Sequence, residues 1–236
     1  MNSYEIFAQF YDSAMGDRRD SAATVNKLIR KYHRTCRSVL ELACGTGEVL
    51  KYLQKDYRAA GLDVSAAMLR IAKKKLPRVR LYRRSMTSFE LAERFDVIFC
   101  VFDSINHLTN WSDWKRVFRH AFVHLEQGGV FIFDVNTPAK LKKLGQGPVW
   151  VHKFGGNIML MDVVCDKSCL SCWNVKVFEK KASKLYRLHE ENIYERAFPY
   201  SQIVAELEKV FDRVRVVDLA GKVSEKSPRL HFICQK

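Results

Sequence analysis

The stretch Val39-Leu40-Glu41-Leu42-Ala43-Cys44-Gly45-Thr46-Gly47-Glu48-Val49-Leu50 decides the fold. A short apolar run leads into a turn with two glycines, and residues 48–55 then favour a helix. This pattern is typical of a buried parallel strand that feeds a helix whose N-terminus is open to a ligand. Gly45 and Gly47 allow close backbone approach or positive φ, and Thr46 can cap the helix. Alone, the turn could equally be an ordinary βα connection.

A carboxylate ends the next predicted strand, residues 57–63, roughly 20 residues beyond the glycine turn. An acid at this position can accept hydrogen bonds from both hydroxyls of a ribose. Asp63 could instead cap the helix that begins near Ser65, but Ser65 can supply that cap itself. The ribose role is therefore the favoured interpretation of Asp63.

Four motifs follow one another along the chain. They are Glu41 to Gly47, then Gly61-Leu62-Asp63-Val64-Ser65 with Met68-Leu69, then Phe95-Asp96-Val97-Ile98, and then Gly128-Gly129 before an apolar strand. This order resembles the class I S-adenosylmethionine-dependent methyltransferases. Dehydrogenases that bind dinucleotides carry G-x-G-x-x-G in the first turn, whereas this turn has a different spacing and an acid on its strand.

The resemblance implies an α/β fold with a Rossmann-like, seven-stranded, mostly parallel sheet, helices on both faces and one antiparallel edge. An antiparallel β insertion is expected after the fifth strand, because residues 149–197 alternate with the period of strands. Pro138 and the lysines around Leu141 mark the exit from the fifth strand. The 236 residues fit one domain. We divide 1–236 into an N-terminal helical lid (1–37), a cofactor-binding core (38–137), a β-rich substrate cap (138–198), and a closing helix with two strands (199–236).

The resemblance also implies S-adenosylmethionine as the cofactor and a set of residues that bind it. These are Tyr11, Glu41, Ala43, Gly45, Thr46, Gly47, Asp63, Val64, Met68, Ser85, Met86, Phe102 and Asp103. Tyr11 lies in a predicted lid helix from Tyr4 to Met15. Ser85 stands where the family usually has an acid that bonds the adenine amino group, and a hydroxyl accepts that bond more weakly.

Methyl transfer from a sulfonium is an in-line displacement that depends mainly on positioning. A base is needed only for a nucleophile that is protonated at working pH. The candidates are His107, Tyr11 and Asp103, and the sequence leaves the choice open, since His107 could equally be a cap or surface residue. No metal is expected: Cys165, Cys169 and Cys172 cluster without a convincing fourth ligand for zinc.

The formal charge of +14 raises the question of a nucleic acid partner. Residues 64–89 contain no acid, but aromatic residues are not interleaved with the charges as a stacking surface requires. The lid, the loop 103–108 and the β insertion instead favour an enclosed site. We therefore expect methyl transfer to a nitrogen or oxygen of a small molecule. The alternatives are an RNA methyltransferase and an inactive cofactor-binding partner subunit.

Location follows from what the sequence lacks. No apolar run approaches the length of a membrane span, and the first residues lack the basic and apolar regions of a secretory signal. Seven cysteines in scattered positions do not form a secreted disulfide framework. The expectation is a cytoplasmic protein with no membrane contact and with reduced thiols.

Overall fold

The computed structural model describes residues 4–236, so the first three residues of the predicted lid 1–37 lie outside the described chain. The helices are α1 Ala8–Met15, α2 Arg19–Tyr32, α3 Leu50–Leu53, α4 Ala66–Lys75, α5 Trp111–His124, α6 Pro138–Leu144 and α7 Tyr200–Leu207. The strands are β1 Ser38–Leu42, β2 Arg58–Asp63, β3 Arg80–Arg83, β4 Phe95–Cys100, β5 Leu125–Asn136, β6 Trp150–Phe154, β7 Asn157–Cys165, β8 Leu170–Ala182, β9 Leu185–Arg196, β10 Arg213–Val217 and β11 Arg229–Gln235.

The main sheet has seven strands in the order β10-β11-β5-β4-β1-β2-β3. Strands β1 to β5 pair in parallel, and this confirms the predicted Rossmann-like fold. The antiparallel strand was expected at the edge, but β11 lies one position inside it, antiparallel to both β5 and β10. The chain leaves β1 towards β2 on one side and returns to β4 on the other. Ligands of open α/β sheets bind at such a reversal of strand order, beyond the carboxyl ends of the strands.

Strand β1 is buried along its whole length, which explains why Val39, Leu40 and Leu42 are apolar. Leu40 and Leu42 belong to the cluster on one face with Trp114 of α5. Val39 points to the opposite face and packs in the cluster that contains Ile29 of α2. Alternate residues of β1 therefore pack into the hydrophobic clusters on the two faces of the sheet. This packing holds the end of β1, and with it the start of the glycine turn, in place.

The predicted β insertion forms a second, antiparallel sheet in the order β6-β7-β8-β9. Its inner face carries Met159, Val175 and Ile193, which form one cluster with Phe7 and Phe10 of the lid. Because only α6 separates the end of β5 from this sheet, the sheet covers the same end of the main sheet as the lid does. The insertion and the lid therefore share one small core above the main sheet.

The segment after the glycine turn differs from the prediction. Helix α3 has four residues rather than the eight of 48–55, and no side chain caps it. Thr46 was expected to cap that helix, but its Oγ1 donates to Asp12 Oδ1 at 2.5 Å. The turn is longer than a simple strand-to-helix junction, so Thr46 lies too far from α3 and bonds to the lid instead.

Two other helices differ from the prediction. The lid helix begins at Ala8 rather than Tyr4, because Tyr4 has φ of 71° and lies in a preceding turn. The residues after Pro138 were interpreted as an exit from β5, whereas they form α6. Thr137 accepts a hydrogen bond from Lys140 N at 3.3 Å, and proline at the first helical position is a recognised start signal. Among the described helices, none is long and apolar enough to cross a bilayer.

Candidate active site

The two glycines of the turn have different surroundings. Gly45 has φ of +53°, and a Cβ there would meet no atom within 4 Å. Gly47 has φ of +76°, but a Cβ there would lie 2.5 Å from Leu76 Cδ1 at the end of α4. Gly45 therefore leaves open space beside the backbone, as a ligand cradle requires. Gly47 is needed for packing under α4.

Asp63 ends β2 and joins the glycine turn to the start of α4. Its Oδ2 accepts from Gly45 N and its Oδ1 from Ser65 N, both at 2.8 Å. Ser65 is the residue that caps α4, since its Oγ accepts from Met68 N at 3.2 Å. Burial raises the pKa of Asp63, and the backbone donors oppose that shift. The carboxylate is 8% exposed and borders a cavity.

This first cavity, which we call the cofactor cavity, has a volume of about 280 Å³. Most of the predicted binding residues border it: Tyr11, Ala43, Gly45, Asp63, Val64, Met68, Ser85, Met86 and Phe102, together with the catalytic candidate His107. Tyr4, Leu62, Arg84, Ser104 and Leu108 border it without having been predicted. Ser85 Oγ is already bonded to Thr87 Oγ1 at 2.8 Å and accepts from Thr87 N at 3.2 Å.

A smaller cavity adjoins the glycine turn and contains Glu41, Thr46 and Arg18. Glu41 Oε2 is buried and has no hydrogen-bond partner in the described chain. Burial, and then the charge of Asp63, raise the pKa of Glu41 well above its usual range. Arg18 was not predicted, and its guanidinium lies 4.5 Å from the centroid of the Phe102 ring. An orphaned carboxyl oxygen and a guanidinium that border one cavity fit the ammonium and carboxylate of an amino acid.

The backbone beyond β4 is strained. Phe102 and Asp103 have φ of 60° and 51°, a region that costs non-glycine residues about 1–3 kcal/mol each. Asp103 N donates to Asp134 Oδ1 at 2.7 Å, and this bond supports the conformation. Such strain is typical of functional sites, and it places Phe102 between two cavities.

Another cavity, which we call the acceptor cavity, has a volume of about 270 Å³ and lies under the second sheet. Its apolar wall includes Phe7, Met15, Leu144, Met159, Met161, Trp173, Val175 and Ile193. Its polar residues are Arg18, Asp103, Asn136, Lys140, Glu195 and Arg229. Tyr4, Tyr11 and Phe102 border both this cavity and the cofactor cavity. The two cavities therefore meet at these three aromatic side chains.

His107 lies in the 3₁₀ turn Ser104–His107, close to that meeting point. Its Nδ1 is 3.1 Å from Tyr194 O, and because a carbonyl only accepts, Nδ1 carries the proton. Nε2 then accepts from the Tyr4 hydroxyl at 3.2 Å. Burial lowers the pKa of His107, so the ring is neutral. A neutral imidazole with Nε2 directed at the cavity junction can accept a proton.

The third catalytic candidate, Asp103, is engaged in an ion pair with Arg229. Arg229 Nη1 also bonds Asp134 Oδ2 at 2.6 Å. Tyr11, the second candidate, borders both cavities, and burial raises the pKa of its hydroxyl. His107 is thus the candidate whose accepting atom is neutral and faces the junction.

The described residues contain no group of three or more His, Cys, Asp or Glu side chains arranged to hold a metal ion. Cys165 ends β7, Cys169 lies in the following turn and Cys172 lies in β8. Asp166 Oδ1 accepts from Ser168 N at 2.8 Å and from Leu170 N at 3.0 Å. Asp166 thus organises the turn between these strands.

Sequence reasoning missed Tyr4, Arg18, Arg84, Glu195 and Arg229. Glu195 and Arg229 belong to β9 and β11 and reach the site only because two sheets converge on it. No local motif surrounds them. Arg18 lies three residues beyond Met15, where the lid helix ends, and this position was a signal that could have been used.

Comparison with known proteins agrees with this geometry. Residues 39–129, which span the glycine turn, Asp63 and the loop after β4, match a protein family described as a methyltransferase domain. The solved structure of an S-adenosylmethionine-dependent methyltransferase from Clostridium acetobutylicum ATCC 824 has a TM-score of 0.84, with 24% identity and 98% of both chains covered.

Two curated relatives are methyltransferases of nucleotide-linked amino sugars. The dTDP-4-amino-2,3,4,6-tetradeoxy-D-glucose N,N-dimethyltransferase of Saccharopolyspora spinosa is 36% identical over 54% of this chain and 53% of its own. The dTDP-3-amino-3,6-dideoxy-alpha-D-glucopyranose N,N-dimethyltransferase of Streptomyces fradiae is 30% identical over 55% of this chain and 51% of its own. The chain spans 51% to 63% of the length of the first curated relatives it matches. Residues 39–129 of this chain therefore match a methyltransferase domain, and the chain has the fold of a solved S-adenosylmethionine-dependent methyltransferase.

Proposed function

We propose that this protein transfers a methyl group from S-adenosylmethionine to a nitrogen or oxygen atom of a small molecule. The observation that carries the proposal is the meeting of two cavities, of about 280 and 270 Å³, at Tyr4, Tyr11 and Phe102. One cavity has the glycine turn and a strand-end acid, and the other is covered by the lid and the second sheet. Two reactants bound in them would meet at a junction with restricted access to water.

The cofactor cavity offers groups suited to each part of S-adenosylmethionine. Asp63 would hold the ribose hydroxyls, and Met86 with Ser85 would border the adenine. The unpartnered Glu41 Oε2 would accept from the ammonium of the methionine part, and Arg18 would bind its carboxylate. When bound, this cofactor would supply an electrophilic methyl group to the acceptor's lone pair, and its sulfur would keep the electron pair of the broken bond.

The protein's residues orient the acceptor and take its proton. An ammonium or a hydroxyl must lose a proton to give methylated product, and His107 Nε2 is a neutral acceptor for it at the junction. Tyr4 can pass that proton on, because its hydroxyl bonds to Nε2 and also borders the acceptor cavity. Correct alignment alone can contribute about 7–11 kcal/mol to the lowering of the barrier.

The relatives from Saccharopolyspora spinosa and Streptomyces fradiae support a small-molecule acceptor, since their names assign them to dTDP-linked amino sugars. The acceptor cavity also supports a small-molecule acceptor, because the wall formed by the second sheet encloses a space rather than an extended groove. RNA is the alternative acceptor, because the basic residues on α4 and β3 could bind its phosphate groups.

The test is methyl uptake from cofactor labelled in its methyl group. Amines, hydroxyl compounds, carboxylates and total RNA are offered separately, and calorimetry measures cofactor binding in parallel. We expect label in a small molecule and not in RNA. Efficient labelling of RNA would overturn the acceptor class. Tight cofactor binding without transfer to any acceptor would favour an inactive partner subunit.

A further inference from the structure

Glu195 is a buried acid that the roles proposed above do not use. It lies on β9, is 3% exposed and borders the acceptor cavity. Its Oε2 accepts from Asn136 Nδ2 at 3.0 Å. Between residues 4 and 236 no nitrogen or hydroxyl donor reaches its Oε1. A carboxyl group with one oxygen unpaired in an enclosed cavity is costly unless a ligand pairs with it.

Arg229, which also borders the cavity, is already paired with two other acids. Arg229 Nη1 bonds Asp134 Oδ2 at 2.6 Å, and Nη2 bonds Asp103 and, at 3.1 Å, Asn136 Oδ1. One guanidinium thus pairs with two carboxylates. Lys140 and Arg18 also border the cavity, but in the described chain neither lies within 4.0 Å of a Glu195 oxygen. Glu195 is therefore the acid of this cavity that pairs with no cation in the described chain.

Glu195 borders the acceptor cavity together with Asp103. Burial, and then the charge of Asp103, raise the pKa of Glu195 well above its usual range. The raised pKa favours the protonated form of Glu195 until a ligand cation binds beside it.

Aromatic rings also border the cavity. Tyr4, Phe7, Tyr11 and Trp173 all line it. Aromatic faces attract cations, and more strongly where water is excluded. A positively charged group in this cavity would be stabilised by the rings and by Glu195, whereas a neutral hydroxyl would gain little from either.

We propose that Glu195 and Asp103 form the seat for an ammonium group of the acceptor, so that the substrate is an amine that is cationic at neutral pH. This inference rests on the proposed function. It narrows the acceptor from any nitrogen or oxygen nucleophile to one class. The ammonium donates to Glu195 Oε1, and Glu195 releases its proton to solvent as the cation enters.

The experiment uses the full chain saturated with S-adenosylhomocysteine and two probes of equal shape, cyclohexylamine and cyclohexanol. Ligand-observed NMR measures the affinity of each. We expect the amine to bind at least about tenfold more tightly than the alcohol, as for a charge-assisted hydrogen bond. Glu195→Gln should remove that preference. Glu190→Gln on the exposed face of the same strand should keep it.

A second measurement needs no variant. Calorimetry of cyclohexylamine binding in two buffers of different ionisation enthalpy reports the protons released, and we expect release from the wild-type protein. Equal affinity for amine and alcohol, an unchanged preference in Glu195→Gln, or binding without proton release would overturn the inference. Failure of the wild-type protein to bind S-adenosylhomocysteine would instead overturn the proposed function.

Discussion

The Tyr4 hydroxyl lies 3.2 Å from His107 Nε2, so the first turn of the lid is bonded to the loop beyond β4. The two rings also pack edge to face, with centroids 5.5 Å apart. The residues are 103 positions apart in sequence. This contact closes the junction between the cofactor and acceptor cavities, and it makes lid position and His107 orientation interdependent.

Tyr4→Phe tests the role of that hydroxyl. The ring keeps its packing against Tyr11 and His107, whereas Nε2 loses its donor. We expect kcat to fall about 10²-fold, the scale of positioned acid–base groups, with little change in affinity for S-adenosylhomocysteine. Tyr186→Phe, on the exposed face of the second sheet, is the control. A fall in cofactor affinity equal to the fall in kcat would contradict a role at the junction.

His107→Gln tests the protonation state of the imidazole. Burial lowers the pKa of His107 in the folded state, whereas in the unfolded chain it is about 6.5. The unfolded state therefore binds more protons between the lowered pKa and about 6.5, and stability falls as the pH drops through that window. The variant should lose less Tm than the wild type between about pH 8 and about pH 5.5. An equal loss of Tm in the variant and the wild type would show that the imidazole is not buried as the neutral form. The control is His152→Gln, a substitution on β6.

The parts of the site that the sequence predicts are those with local causes. Gly45 and Asp63 stand at ends of consecutive parallel strands, and strand ends of one sheet meet in space. Glu195 and Arg229 have no such local cause, because antiparallel pairing of β9 and β11 with other strands brings them to the cavity. Tyr4 was read as the start of a helix, and its positive φ has no signature in the residue type.

Asp63→Ala should weaken cofactor binding. The variant loses a charged acceptor for the ribose, worth about 1.5–3 kcal/mol, together with the bonds to Gly45 N and Ser65 N. Calorimetry with S-adenosylhomocysteine measures the change. Ser65→Ala removes the cap of α4 and leaves the carboxylate in place, so it controls for damage to the helix start. Equal affinities of Asp63→Ala and the wild type, with both folded, would exclude the ribose role.

Asp12 connects the lid to the main domain. Its Oδ1 accepts from Thr46 Oγ1 at 2.5 Å, and its Oδ2 pairs with Lys75 Nζ at 2.7 Å, which also reaches Glu48. Asp12→Ala removes both contacts, so the lid should open more often. We expect faster dissociation of S-adenosylhomocysteine in stopped-flow experiments, by about 3- to 10-fold for a loss of roughly 1 kcal/mol. Asp20→Ala is the control, because the Asp20 side chain makes no hydrogen bond in the described chain. S-adenosylhomocysteine should dissociate from this variant at the wild-type rate.

The acceptor class can be tested by changing the cavity and the basic surface separately. Trp173 borders the acceptor cavity but not the cofactor cavity. Trp173→Ala should therefore raise KM for an amine acceptor at least about tenfold, as expected for loss of a large aromatic contact, without weakening S-adenosylhomocysteine binding.

Lys73 and Lys74 are exposed on α4, whereas Lys75 pairs with Asp12 and Glu48 and must be kept. Neutralising Lys73 and Lys74 should leave turnover of a small amine unchanged, because neither borders a cavity. If labelled methyl groups instead entered RNA, with an affinity that fell steeply with salt and with the loss of these two lysines, the acceptor would be a nucleic acid.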